Sequence, residues 1–199
     1  MAWAERRVGT LRLLYNWIVV YIGNFIGAID TAVLVFLGRQ YFMAGGTVGV
    51  TALNIGLSKV SMTFVQALVL GILCNALVCL AVWLCYSARS TVDKILSIIF
   101  PISAFVACGF EHCVANMYFI PYALLIKDYA PALFWTSSGL DPANYANLTW
   151  GAFFVKNLIP VTIGNIIGGA IMVGLVYWLV YLRGRRRSHS IYSKVKTKL

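Results

Sequence analysis

Four long apolar stretches, separated by polar connections, run along the chain at about Tyr15–Leu37, Ser61–Tyr86, residues 95–126 and Asn157–Leu182. A helix crosses a hydrocarbon core of about 30 Å with roughly 20 residues, so each stretch predicts a membrane span. No segment alternates apolar and polar positions with a period of two, and this favours helices over a barrel. The run 95–126 is the odd one. As a straight helix it would reach roughly 48 Å, too long to be absorbed by tilt alone. A broken helix fits better, and the Cys108-Gly109 step is the predicted break because glycine tolerates unwound backbone.

The expected fold class is therefore an all-α integral membrane protein. Composition agrees: 61% of the 199 residues are apolar and mean hydropathy is +0.83, values a soluble domain with a polar exterior does not carry. The chain reads as a single transmembrane domain over 1–199, whose residues 183–199 form a basic cytoplasmic tail. Gly38–Ser58 and Lys127–Trp150 read as the two outward loops. No cleavable signal peptide is expected, because polar Met1–Thr10 leads straight into a full-length span.

The net charge of +10 raises the question of nucleic acid, and its placement answers against it. Only Arg39, Lys59, Lys127 and Lys156 fall on one side of the expected spans, while the other twelve Lys and Arg fall on the side holding both termini. The positive-inside rule makes both termini cytoplasmic, in a multi-pass protein of the plasma (inner) membrane. The run Arg183–Arg187 then reads as a helix-end anchor against anionic lipid.

The centre of the long run holds two adjacent ionisable residues, Glu111 and His112, in Phe105-Val-Ala-Cys-Gly-Phe-Glu-His-Cys-Val-Ala-Asn-Met117. Ionisable side chains at membrane depth are functional-site candidates by default. The five cysteines, at 74, 79, 85, 108 and 113, all lie in predicted spans and read as packed thiols. A metal site from Cys108, His112 and Cys113 is disfavoured, since neighbours 112 and 113 point about 100° apart on a helix. No metal or other cofactor is called for, and no Walker loop, dinucleotide fingerprint or nucleophile elbow suggests an enzyme.

An internal repeat joins the first and last spans. Ile22-Gly-Asn-Phe-Ile-Gly-Ala28 recurs as Ile163-Gly-Asn-Ile-Ile-Gly-Gly169, each copy with a Gly-x3-Gly step that lets helix backbones approach closely. If the last span closes a three-span unit starting near Ser58, the matching first unit would start roughly 80 residues ahead of Met1. The expectation is six spans in two inverted repeats, of which this chain holds four, with an amino-terminal truncation.

Three separated segments, Gly71–Trp83, Phe105–Asn116 and Asn157–Gly169, closely resemble the formate/nitrite transporter family, most strongly its formate-channel branch. That resemblance implies an aquaporin-like inverted-repeat bundle assembled as a homopentamer, with one pore per protomer. Residue by residue it implies that His112 is the central pore histidine with Glu111 beside it. Asn75 and Asn116 match nearby polar positions, Phe105 an aromatic of the outward constriction, and Gly109 lies at the helix break. The family's interrupted second span has no counterpart in this chain.

The chemistry of His112 suits such a role independently. A bare anion in a low-dielectric passage is strongly penalised, and the cost falls when a proton is supplied at the narrowest point. Histidine titrates in the physiological range, so anion and proton binding reinforce each other. The bland alternatives are a histidine satisfied by a neighbouring helix and a Glu111 that only orients a pore group, with Asn75 as its candidate partner. The expected function is transmembrane transport of formate, as channel or proton-linked transporter. Alternatives are a nitrite channel, a neutral-solute pore and a membrane redox subunit.

The charge asymmetry generates a topology test. Cysteines engineered at Arg89 and Ser190 should react with impermeant reagent from the cytoplasmic side, and those at Gly46 and Asn144 from outside. Reversed labelling at any two sites overturns the orientation.

Overall fold

A computed structural model describes residues 1–182; the tail expected over 183–199 lies outside the described residues. Among these residues the chain is helical throughout, without strands. Helix α1 (Thr10–Leu37) is followed by α2 (Thr47–Val60), α3 (Phe64–Ser87), α4 (Thr91–Ala107), α5 (Cys113–Tyr129) and α6 (Ala132–Ser138). A last helix, α7, spans residues 150–182 through alternating α- and π-type turns. Helix α1, helix α3 and the stretch ending at Leu182 are each long and apolar enough to cross a membrane. Helices α4 and α5, of 17 residues each, are half-length pieces.

Local chemistry sets the helix ends. Thr63 opens α3 with a capping box: its Oγ1 accepts from Gln66 N at 3.3 Å while Gln66 Oε1 accepts from Thr63 N at 2.9 Å. Ser90 and Asp93 repeat the device at the start of α4. Pro160 explains the π-turn before it. A proline in an α-helix clashes with the carbonyl four residues earlier and removes a donor, and widening over Phe153–Leu158 relieves both problems.

The expected loop Gly38–Ser58 is corrected. Most of its second half is helix α2, whose Gly49, Leu53, Gly56 and Val60 are buried at helical spacing. Gly56 and Gly49 let α2 seat closely: a Cβ on Gly56 would stand 2.5 Å from Ala123 Cβ, and one on Gly49 2.6 Å from Phe134 Cε2. A helix of 14 residues is too short to register as a span, and glycine-rich composition disguised it as loop. The expected loop Lys127–Trp150 likewise contains the end of α5 and all of α6.

The two glycine steps diverge. A Cβ on Gly164 would strike the Leu68 carbonyl oxygen, and one on Gly168 that of Ile72, so α3 and α7 touch backbone to backbone. Around Gly23 and Gly27 a Cβ would meet nothing within 4 Å. Close helix packing, expected for both copies, holds only for the second. The first faces a groove of about 540 Å³ between α1 and α5.

This seam makes a direct prediction. Gly168→Val should lower stability by about 1–3 kcal/mol through overpacking, measured as thermal unfolding in detergent, whereas Gly27→Val should be mild. Equal effects would show that the α3–α7 contact is not the tight one.

Candidate functional site

The break between α4 and α5 is closed by backbone geometry. Phe110 N donates to Phe105 O at 2.9 Å and Gly109 N to Val106 O at 3.0 Å, the paired bonds of a Schellman ending. Gly109 takes φ +66°, a left-handed conformation that costs a side-chain-bearing residue about 1–2 kcal/mol. Space does not demand glycine here, since a Cβ would touch nothing; backbone conformation does.

His112 is the N-cap of α5, and its Nδ1 accepts from Ala115 N at 3.4 Å. A neutral imidazole accepting at Nδ1 carries its proton on Nε2. Its ring is half-buried and tilted against Phe105, with centroids 6.1 Å apart. Cys113 N, the next amide of α5, donates to Asn165 Oδ1 at 2.9 Å. Asn165 also donates from Nδ2 to Gly71 O at 2.8 Å and to Glu111 O at 2.9 Å. One amide thus fastens α3, α7 and the break together, and the glycines of the α3–α7 seam bring it within reach.

Glu111 is 1% exposed. Its Oε1 accepts from Lys59 Nζ at 2.7 Å, and its Oε2 from Asn116 Nδ2 at 2.6 Å and Asn157 Nδ2 at 3.1 Å. Asn157 Nδ2 also donates to Lys59 O at 3.1 Å, and its Oδ1 accepts from Asn116 at 2.8 Å. Three helices, α2, α5 and α7, therefore converge on the one carboxylate that the break carries. A buried charge is tolerable only when paired and hydrogen-bonded, and here the charge is matched by Lys59 and both oxygens are occupied.

Of the sequence-selected residues, the structure brings Glu111 and Asn116 into one buried cluster, with Phe105 and His112 beside it. Neither Glu111 nor Asn116 opens onto a surface. Asn75 is not Glu111's partner: its Nδ2 donates to Asn165 O at 2.6 Å, correcting that expectation. Lys59 and Asn157 were missed. Lys59 had been counted among outward charges, yet its ammonium turns in to Glu111 and lies 5.9 Å from the Phe119 ring centroid. Only the oddity of two polar side chains flanking apolar helices could have flagged them. Among the described residues no group of His, Cys, Asp or Glu is placed to hold a metal, and all five cysteines are free thiols.

Comparison with known proteins places this geometry in context. A family model described as formate/nitrite transporter matches residues 1–179. The chain is 48% identical over 183 residues to the formate channel FocA of Escherichia coli K12, covering 92% of this chain and 64% of that one. It is 47% identical over 169 residues to FocA of Haemophilus influenzae, covering 85% and 60%. A solved pentameric formate channel with formate bound superimposes with a TM-score of 0.83 at 49% identity, over 86% of this chain and 68% of that chain. The chain thus spans about two thirds of the length of the curated relatives it matches.

The ion pair predicts an asymmetric mutational response. Glu111→Gln or Lys59→Met alone should cost about 3–5 kcal/mol, because each strands a buried charge. The double variant should recover much of that loss in thermal unfolding of the detergent-solubilised protein. Additive losses would mean that the two charges are independently solvated.

Proposed function

The chain belongs to the formate/nitrite transporter family, and from that premise we propose that it carries formate, with nitrite as the competing substrate, across a membrane as part of a homopentamer. The named relatives are formate channels, and the solved neighbour is pentameric with formate bound. The observation that carries the reading is the orientation of His112. With Nδ1 engaged by Ala115 N, the proton-bearing Nε2 is the free end of the ring at the helix break. An anion reaching that nitrogen meets a donor rather than a lone pair.

The surrounding charges support the same role. The positive end of the α5 dipole lies at His112, which favours an arriving anion. Lys59 and Glu111 together contribute no net charge, so the site does not trap the anion with a fixed cation. Formate that accepts a hydrogen bond from Nε2–H raises the proton affinity of the ring, and the ring's proton in turn lowers the cost of a carboxylate in low dielectric. Release reverses both steps. Glu111 and Asn116 act as positioning residues behind His112, Asn75 holds Asn165, and Phe105 narrows the passage next to the imidazole. Both termini face the cytoplasm in this reading, and the host is the plasma (inner) membrane.

Formate uptake into proteoliposomes tests the proposal. Wild-type protein should take up formate with a rate that changes across pH 5 to 8, and nitrite should compete. His112→Ala should flatten that pH profile, because it removes the imidazole at the break. Unaltered pH dependence in His112→Ala would remove the histidine from the transport step.

A further inference from the structure

The two copies of the glycine repeat are preceded by Tyr21 in α1 and Thr162 in α7, residues that hold the same place in each copy. Their hydroxyls meet, with Tyr21 Oη 2.9 Å from Thr162 Oγ1. Equivalent residues of a two-fold repeat touch only where the axis relating the copies passes, so this bond lies on the inner axis of the bundle rather than at its rim. It is also an unusual bond for a helical threonine. Thr31 in α1 returns its hydroxyl to the Gly27 carbonyl four residues back at 2.7 Å, the local bond open to any threonine in a helix. Thr162 turns to another helix instead.

The same threonine stands against Cys113, the first residue of α5 and the neighbour of His112. Cys113 is 9% exposed, and α7 holds it at both ends. Asn165 Oδ1 accepts from its amide at 2.9 Å, and Thr162, three positions earlier on the same helix face, lies at its thiol. A hydroxyl pair uses one proton in its mutual bond and leaves the other to find an acceptor. Tyr21 donating to Thr162, with Thr162 donating to the Cys113 sulfur, places both protons. The reverse direction leaves the tyrosine proton with no acceptor among the described residues.

We propose that Tyr21 is a positioning residue for His112, acting through Thr162 and Cys113 to fix the first turn of α5. The Nδ1 lone pair of His112 reaches Ala115 N at 3.4 Å, near the outer limit for such a bond, so a small displacement of that turn releases it. With the bond lost, nothing selects which ring nitrogen carries the proton. Helix α1 thereby controls, across the bundle, whether the imidazole presents a donor at the break. The proposed transport rests on that tautomer, whereas the positioning does not require transport.

Nitrogen-15 NMR of the full chain labelled at histidine, with His189→Ala so that His112 is the only histidine, reads the tautomer directly at alkaline pH, where imidazole is neutral. This parent should show a single form with the proton on Nε2. Tyr21→Phe keeps the ring and removes the hydroxyl. It should add a second neutral form protonated on Nδ1 and, in liposomes, raise the half-saturating formate concentration about two- to fivefold. Thr162→Val should do the same, and adding Tyr21→Phe to it should change nothing further, because both act through one contact. Cys113→Ser keeps an acceptor for Thr162 and should retain the single form. An unmixed Nε2–H form in Tyr21→Phe, or a full additional effect in the double variant, would overturn the positioning role. If the tautomer changes in Tyr21→Phe while the parent takes up no formate, the positioning role stands and the transport reading falls.

Discussion

The carboxylate of Glu111 governs the arrangement of this molecule. An ionised group inside an apolar bundle is sustained only where a countercharge and several donors converge on it, and those donors must come from different parts of the chain. Lys59 comes from the end of α2, Asn116 from the first turn of α5 and Asn157 from the π-turn of α7. Each element is thereby held at a defined depth relative to the break. The short helix α2 illustrates the consequence: its glycine face packs on α5 and α6, and its last turn delivers the ammonium.

The broken helix depends on a second constraint. Exposed backbone donors at membrane depth are costly, so an interrupted helix survives only if its free ends are capped from within. The α4 end is closed by its own Schellman turn around Gly109, and the α5 end by His112 and Asn165. Asn165 reaches that position because Gly164 and Gly168 let α7 lie against the backbone of α3. The capping also has a chemical outcome, since the Ala115 amide selects which imidazole nitrogen carries the proton.

The same economy explains why the first π-turn of α7, Phe153–Leu158, sits where it does. Widening α7 ahead of Pro160 avoids the proline clash, and it rotates Asn157 to serve Glu111 and the Lys59 carbonyl together. A regular α-helix has one phase along its length, and the extra residue per π-turn changes that phase between Asn157 and Asn165.

Much of the molecule was legible from its residues alone. Hydropathy and length determined the helical membrane class, because an apolar environment forces backbone polar groups to pair within a helix. The overlong run with Gly109 and the Glu111-His112 pair marked where to look for chemistry. Helix α2 was not legible, being too short and too glycine-rich to register as apolar periodicity. Lys59, Asn157 and the true partner of Asn75 were decided by tertiary structure, which joins residues 52 and 46 positions apart in sequence on one carboxylate. The two Gly-x3-Gly steps make the point most clearly: alike in sequence, one is packed against α3 and the other faces an open groove. A small residue permits close approach, but only the position of a neighbouring helix decides whether the approach is made.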